Sequence, residues 1–273
     1  MSNSTLINYK ISSDVVAFTT TRKGGCSNGN YSSFNFCPYS GDTPENIKRN
    51  KSVLCQELGT EDKNLFTPIQ IHGNQFLLLD QLFLEKDPAE QESLLNGVDA
   101  IITNKAGICI GIFTADCVPI LLYNEQSHVA AAVHAGWKGT LTQILSEVLE
   151  YMSSKLNCHP HHTKAIIGPS ISLESFEVGK DVFQLFANSH LPIKEISAFV
   201  PNINGDAHHN GISGKWHIDL WTANVLQLLE NDVPLENIQV ANLCTYKNSD
   251  LLFSARKLGK ESGRLFSGIM IKS

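Results

Sequence analysis

A cysteine and a histidine lie on either side of a short turn near the middle of the chain, and both residue types suit metal binding or nucleophilic chemistry. Cys117 precedes one apolar run, His134 ends a second, and the turn-forming residues Asn-Glu-Gln-Ser at 124–127 separate them. This pattern predicts a β-hairpin with a four-residue loop. If Tyr123 pairs with His128, then Cys117 faces His134 directly, with Cβ atoms about 5 Å apart. The pair could share a metal ion or act together in catalysis.

The alternative for this pair is ordinary packing, with Cys117 as a small buried hydrophobe and His134 as the end of a strand. Asp116 beside the thiol and Gly136 after the imidazole favour the functional interpretation. The pairing requires the right register, because a loop of three or five residues would turn one side chain to the opposite face.

A third candidate ligand, His72, lies at a break between two extended stretches, 66–71 and 76–79. The break, His-Gly-Asn, lets a side chain project into a cleft, so His72 is the best third ligand by position. A single histidine in a turn is more often simply solvated.

Two basic residues lie where the backbone could help to bind an anion. Arg22 follows the predicted strand at 15–21 and precedes a Gly-Gly turn, whose N–H groups can cradle a phosphate or carboxylate. Lys138 lies in the segment 135–140, which is predicted to open a helix that runs to about Met152. For both residues, a solvated surface charge is the alternative.

The surrounding pattern mixes strands and helices without strict alternation. Strands are predicted at 100–103 and 266–271, helices after Thr43 and at 220–229, and a polar loop or hairpin tip at 201–214 that contains His208 and His209. We therefore expect an α/β protein, a single layered α/β/α domain spanning 1–273, with a mixed β-sheet and a central antiparallel hairpin covered on both faces.

The composition excludes several classes of protein. The 273 residues carry a net charge of −6 and no basic block, which argues against nucleic acid as a partner. No apolar run approaches the roughly 20 residues of a membrane span, and no export signal is recognisable, so we expect a cytoplasmic protein that does not act on membranes. Seven cysteines without a C-x-x-C pair indicate free thiols. The oligomeric state stays open.

Seven short motifs together resemble one family. From about Thr19 to the C-terminus, the chain carries TTRKGG, QIHGN, TADCVPILL, HAGWKGT, IGPSI, FEVGKDV and CTYKNSDLLFSARK, the last followed by SGR. In this order they resemble the laccase-domain proteins, once called multicopper polyphenol oxidases and now described as purine nucleoside phosphorylases.

The resemblance implies one zinc ion bound by His72, Cys117 and His134. It implies phosphorolysis of adenosine, inosine, guanosine and methylthioadenosine to the free base and ribose 1-phosphate, and deamination of adenosine to inosine. The substrates would be purine nucleosides and phosphate. A zinc site with three protein ligands keeps a fourth position open, which suits activation of water.

Phosphorolysis needs an anion held beneath the ribose as positive charge develops at C1′. We expect Arg22 and Lys138 at the phosphate, with a catalytic role for Arg22. Asn35 is expected in the substrate site, although the following Phe36-Cys37 replaces the Leu-Gly usual in the family. Cys244 matches a family position, and it could be catalytic or an inert buried thiol.

Several alternatives remain. A copper-dependent polyphenol oxidase needs about ten histidines, largely in H-x-H pairs; this chain has ten histidines but, apart from His159 to His161, no such pair in its motifs, so we expect copper less than zinc. A cysteine hydrolase could use Cys117 with His134, and related bacterial proteins have been linked to editing of peptidoglycan precursors. A binding module without catalysis is also open. The H-x-E and P-C-x-x-C pattern of nucleobase deaminases is absent.

Overall fold

The computed structural model of the chain describes residues 5–201 and 214–273. Most of the predicted loop at 201–214, including His208 and His209, lies outside the described residues. Its flanks, Ser197–Pro201 and Gly214–Ile218, pair as antiparallel strands, as a hairpin requires. Among the described helices, none has the length and apolar character needed to cross a membrane.

The described strands are β1 Leu6–Tyr9, β2 Val15–Thr20, β3 Leu65–Phe66, β4 Phe76–Leu79, β5 Ala100–Thr103, β6 Cys109–Thr114, β7 Val118–Asn124, β8 Val129–Ala135, β9 Thr163–Ile167, β10 Glu177–Val178, β11 Ser197–Pro201, β12 Gly214–Ile218, β13 Ile238–Val240 and β14 Leu265–Ile271. The described helices are α1 Pro44–Leu58, α2 Gln81–Leu84, α3 Pro88–Leu94, α4 Trp137–Leu141, α5 Ile144–Leu156, α6 Lys180–Ala187, α7 Ile193–Ile196, α8 Leu220–Glu230 and α9 Ala255–Leu258.

Two large mixed sheets form the centre of the fold. One has five strands in the order β1-β2-β14-β6-β3, and the other has six in the order β13-β9-β7-β8-β5-β4. Each contains parallel and antiparallel pairs. A small third sheet has the order β10-β12-β11. The expected α/β class, mixed sheet and central antiparallel hairpin are therefore confirmed, but two stacked sheets replace the single expected sheet.

The buried side chains show how the layers are stacked. Ile110 and Ile269 of the five-stranded sheet share one apolar cluster with Leu121 and Ala132 of the six-stranded sheet. Helices α5 and α8 cover the outer face of the six-stranded sheet. Helix α1 covers the outer face of the five-stranded sheet through Leu54. The order of layers is thus α/β/β/α.

The central hairpin, β7 and β8, is buried on both faces. Ile120 and Leu122 point toward the helices, whereas Leu121 and Tyr123 point toward the other sheet. All residues of both strands are buried. This explains why the two strands read as continuous apolar runs rather than as alternating polar and apolar residues.

The register of this hairpin differs from the predicted one by two residues. His134 pairs with Pro119 rather than Cys117, and Asn124 pairs with Val129 instead of lying in the loop. The Asn124 side chain explains the difference, because its Oδ1 accepts a hydrogen bond from the N–H of Ser127 at 2.9 Å and so closes the turn one residue later. Since the shift is even, Cys117 and His134 remain on the same face.

The helix predicted from 135–140 to Met152 is broken into α4 and α5. Gln143, between them, has a left-handed φ of 59°. The carbonyl oxygen of Thr140 accepts a hydrogen bond from the side chain of Gln227 at 2.8 Å. The Gln227 side chain of α8 therefore donates to a carbonyl oxygen that, in a continuous helix, would accept a backbone N–H of the same helix.

The links between the two sheets determine where chemistry can take place. Residues 115–117 connect β6 of the five-stranded sheet to β7 of the six-stranded sheet, and residues 67–75 connect β3 to β4 in the same way. Cys117 lies in the first link and His72 in the second. His134 lies near the end of β8, so the fold brings the three residues to one end of the two stacked sheets.

Candidate metal centre

His72, Cys117 and His134 form a group that could hold a metal ion, with their ligand atoms all within 4.8 Å of one another. His134 is buried, Cys117 is half-buried and His72 is exposed. The two imidazole rings meet edge to face, with centroids 4.8 Å apart. The structure thus brings together the three ligands predicted from the sequence.

A buried carboxylate orients His134. Asp99 is fully buried, and its Oδ1 lies 2.7 Å from Nδ1 of His134. Because an ionised carboxylate only accepts hydrogen bonds, Nδ1 must carry the proton. Nε2 of His134 is then the nitrogen available to a metal, as in carboxylate–histidine–metal arrangements.

The same carboxylate holds the loop that carries His72. Asp99 accepts hydrogen bonds from the backbone N–H groups of Ile71 at 3.2 Å, His72 at 2.9 Å and Gly73 at 2.7 Å. His72 has a φ of 62°, a left-handed conformation that non-glycine residues rarely adopt. Three hydrogen bonds to one carboxylate stabilise this unfavourable backbone, so Asp99 positions two of the three candidate ligands.

A second carboxylate fixes the link that carries Cys117. Asp116 also has a left-handed backbone, with a φ of 88°. Its Oδ1 accepts a hydrogen bond from the hydroxyl of Thr245 at 2.6 Å, and its Oδ2 accepts one from the N–H of Arg256 at 2.7 Å. These bonds tie the Cys117 link to the C-terminal part of the chain.

Gly136 leaves room for the three ligands to meet. A Cβ atom at this position would lie 3.1 Å from Sγ of Cys117 and 3.3 Å from Cδ2 of His72. Both separations are shorter than ordinary van der Waals contact, so a larger residue would push the ligands apart. The glycine that follows His134 is therefore needed for close approach.

The charges of the group favour the ligand form of the thiol. Burial raises the pKa of the Cys117 thiol, but the rings of His134 and His72 outweigh burial and lower the pKa to about 6. Burial lowers the pKa of His134, whereas the Cys117 thiolate and the Asp99 carboxylate raise it to about 9. Burial likewise raises the pKa of Asp99, but hydrogen bonds from His134 and the loop lower it overall. The thiol of Cys117 and the imidazole of His134 therefore each favour the charged form of the other.

The donor set fits a metal that binds both sulfur and nitrogen. One thiolate and two imidazoles are ligands that zinc and copper share. Three protein ligands also leave room for a water or a substrate atom at a fourth position.

Two clefts open beside His72. The first, which we call the Arg264 cleft, has a volume of about 500 Å³ and contains all three candidate ligands together with Lys260 and Arg264. The second, which we call the Lys138 cleft, has a volume of about 470 Å³. Since His72 lines both clefts, a metal bound here would lie next to each of them.

Lys138 lines the second cleft. It is exposed, and its Nζ lies 5.6 Å from the ring centroid of Trp137. Its predicted contact with phosphate stays a prediction.

Arg22, Asn35 and Cys244 do not line either cleft. The guanidinium of Arg22 donates to the carbonyl oxygens of Ser32 at 2.7 Å and Ser249 at 2.6 Å. Asn35 is fully buried. Cys244 is buried, and its Sγ accepts a hydrogen bond from the N–H of Ser172 at 3.4 Å. Their predicted roles in catalysis and substrate binding stay predictions.

Three residues with evident roles were not predicted from the sequence. Asp99 orients two ligands, and Lys260 and Arg264 place positive charge in the Arg264 cleft. The signal for Asp99 was its position directly before a buried strand. Arg264 belongs to the SGR motif at 262–264, which carried the family resemblance but had no assigned role.

Comparisons with known proteins show the family of the chain. The sequence pattern of the multi-copper polyphenol oxidoreductase laccase family matches residues 16–272, which include every residue of the candidate metal centre. The chain belongs to this family.

Other members of the family are similar over nearly their whole length. A purine nucleoside phosphorylase from Bacteroides thetaiotaomicron is 42% identical over 259 residues, covering 95% of this chain and 92% of that protein. An adenosine deaminase named RL5, from an unknown prokaryotic organism, is 38% identical over 258 residues, covering 94% of each chain.

Solved structures show the same fold. The crystal structure of YlmD from Geobacillus stearothermophilus has a TM-score of 0.84 at 25% identity and covers 100% of this chain and 98% of its own. The YfiH protein of Bacillus licheniformis has a TM-score of 0.86 at 22% identity, covering 98% and 97%. The chain therefore shares its fold with both solved structures.

Replacing Asp99 tests whether this laccase-family centre depends on it. In Asp99→Asn, the charge is lost and one oxygen becomes an N–H₂ that faces groups which themselves donate. Either His134 and the N–H of His72, or the N–H groups of Ile71 and Gly73, then lose their acceptor. We expect zinc affinity to fall about 10- to 100-fold, measured by competition with a chromophoric chelator. The matched control is Asp232→Asn, since Asp232 is exposed and lines neither cleft. Equal affinity in both variants would contradict the assigned role of Asp99.

The state of the Cys117 thiol can be tested by alkylation. In metal-free protein, iodoacetamide should modify Cys117 at a nearly constant rate down to a pH of about 6, where the thiolate becomes protonated. Near neutral pH, bound zinc should protect Cys117. The half-buried Cys26 serves as an internal reference in the same peptide map. Equal modification with and without zinc would favour the cysteine hydrolase alternative.

Proposed function

We propose that this protein is a zinc-dependent purine nucleoside phosphorylase that also deaminates adenosine. The observation that carries the proposal is the 42% identity, over 95% of the chain, to a relative named purine nucleoside phosphorylase. The relative named adenosine deaminase supports the second activity. The expected substrates are adenosine, inosine, guanosine and methylthioadenosine, together with phosphate.

The His-Cys-His group supports zinc as the metal. When bound, zinc supplies a Lewis acid that lowers the pKa of water toward neutrality, which suits attack on the purine ring at C6. The residues of the chain position the ligands. Asp99 keeps the proton on Nδ1 of His134, and Gly136 keeps space between the ligands.

Aromatic side chains in the Arg264 cleft suit a purine base. Tyr39 and Phe113 meet edge to face with centroids 6.0 Å apart, and both line the cleft. Gln70 holds them in place, because it exchanges two hydrogen bonds of 2.8 Å with the backbone of Phe113 and accepts one from the Tyr39 hydroxyl at 3.0 Å. Stacking of a base on an aromatic ring contributes about 1–3 kcal/mol. A fixed aromatic wall next to the ligands would orient the nucleoside.

Phosphorolysis needs an anion next to the ribose. An oxygen of phosphate forms a bond to C1′ while the bond from C1′ to the purine nitrogen breaks, and the purine takes the electron pair and a proton. Positive charge develops on the ribose in the transition state, so a phosphate held in place stabilises it. Lys138 is the sequence-predicted cation that lies beside the metal centre.

Deamination uses the same purine in a different reaction. Water adds at C6 of adenosine, ammonia leaves and inosine is formed. No phosphate takes part, so the two activities can be measured separately in one protein.

Copper oxidation is the alternative that the family description raises. A multicopper oxidase needs several metal sites, whereas residues 5–201 and 214–273 contain one group of three close candidate ligands. Metal analysis after purification without added copper separates the two: zinc near one per chain supports the proposal, and copper above one per chain supports the oxidase.

Product analysis tests the proposed function directly. Zinc-loaded protein should convert adenosine to adenine and ribose 1-phosphate only when phosphate is present, and to inosine whether phosphate is present or absent. Chromatography identifies both products. Cys117→Ser should lose both activities, whereas Cys26→Ser, which changes a half-buried thiol outside both clefts, should keep them. If the nucleosides stabilised the protein against heat but were recovered unchanged, a binding module would be the better description.

A further inference from the structure

The Arg264 cleft is positively charged in a protein that is negatively charged overall. The chain has 27 acidic and 21 basic residues, yet Lys260 and Arg264 both line this cleft and none of its lining residues is Asp or Glu. In the part of the chain that the structure describes, neither cation forms an ion pair with a carboxylate. Two uncompensated cations in a concave site attract an anion.

We infer, on the basis of the proposed function, that Lys260 and Arg264 form the binding site for the inorganic phosphate used in phosphorolysis. The site would lie in the same cleft as His72, Cys117 and His134. A guanidinium binds phosphate oxygens through two parallel hydrogen bonds, and an ammonium adds a second positive charge.

The guanidinium of Arg264 is held in a fixed orientation. Its Nη1 donates to the carbonyl oxygens of Ser262 at 2.6 Å and Gly263 at 3.1 Å, and its Nη2 donates to the carbonyl oxygen of Lys260 at 3.0 Å. These acceptors are neutral, so the full positive charge of Arg264 is retained. Because the side chain is already ordered, little conformational entropy is lost when an anion binds.

Asn35 holds the backbone of this segment in place. The N–H of Arg264 donates to Oδ1 of Asn35 at 3.0 Å. The amide nitrogen of Asn35 in turn donates to Ser40 at 2.9 Å and Asp42 at 3.0 Å. Asn35 is therefore a positioning residue, which reconciles its place in a family motif with its complete burial.

The strand register places this segment next to the metal centre. Leu265, the first residue of β14, pairs with Thr114, the last residue of β6. Cys117 follows Thr114 by three residues, so Arg264 and the thiol lie at the same end of the five-stranded sheet. Thr114 also lines the cleft, and its buried hydroxyl has no hydrogen-bond partner among the described residues. A ligand that reached this hydroxyl would satisfy it.

Lys260 and Arg264 are better placed to bind phosphate at the metal centre than Lys138 and Arg22, the two cations predicted from the sequence. Lys138 lies in the other cleft, which contains His72 but neither Cys117 nor His134. Arg22 lies outside both clefts. Lys260 and Arg264 share one cleft with all three candidate ligands.

The test separates phosphate binding from the other steps. In Lys260→Ala and Arg264→Ala, the KM for phosphate in inosine phosphorolysis should rise about 10- to 100-fold, while phosphate-independent deamination of adenosine stays within about twofold. Arg264→Lys should recover part of the loss. The matched control is Lys257→Ala, because Lys257 is an exposed cation in the same segment whose Nζ lies over the Tyr246 ring, outside the cleft.

Calorimetry with inorganic phosphate alone provides a second measurement that does not require turnover. Wild-type and Lys257→Ala proteins should bind phosphate, and Lys260→Ala and Arg264→Ala should bind it more weakly by the same factor. The inference would be overturned if Lys260→Ala bound phosphate as tightly as the wild type, or if the wild-type protein bound no phosphate. It would also be overturned if the KM for phosphate increased only in Lys138→Ala or Arg22→Ala. If phosphate binds through Arg264 but no nucleoside is cleaved, the proposed function fails while the anion site stands.

Discussion

The carboxylate of Asp99 is the constraint on which the rest of the site depends. It is fully buried, yet it accepts hydrogen bonds from one imidazole and three backbone N–H groups. An isolated buried charge is costly, and four donors offset that cost. Because these donors belong to His134 and to the His72 loop, the groups that stabilise the charge are also the groups that must be positioned. The folded chain therefore holds both histidines in place through this one carboxylate.

The architecture explains why such a constraint is needed. Two of the candidate ligands lie in links that pass from one sheet to the other, and irregular links have no ladder of hydrogen bonds to fix them. Both links contain a residue with a left-handed backbone, His72 and Asp116. Each is held by a buried or partly buried carboxylate. Strained links thus carry two of the candidate ligands, and hydrogen bonds to the carboxylates of Asp99 and Asp116 fix these links.

Sequence reasoning reached the ligands by a route that was partly wrong. The hairpin register was wrong by two residues, yet Cys117 and His134 still meet because an even shift preserves the face. The α/β class, the hairpin and most strands follow from local patterns of apolar residues. The second sheet, the break at Gln143 and the role of Asp99 depend on contacts between distant segments. An aspartate before a strand has no local feature that reveals which loop it will hold.

The family description and the names of two relatives point to different chemistry. The family description names copper oxidation, whereas two relatives at 42% and 38% identity are named for purine chemistry. In this chain, one thiol and two imidazoles lie next to a cleft with fixed aromatic rings and two cations. Such a cleft suits a nucleoside and an anion, and a single three-ligand centre suits one metal ion better than several.

The central claim is that one metal ion is shared by the thiolate of Cys117 and the imidazoles of His72 and His134. X-ray absorption spectroscopy of protein loaded with one equivalent of zinc tests this most directly. We predict one sulfur ligand at about 2.3 Å and two imidazole nitrogens at about 2.0–2.1 Å, with the sulfur signal lost in Cys117→Ser. A zinc ion surrounded by nitrogen and oxygen alone in the wild-type protein would contradict the account.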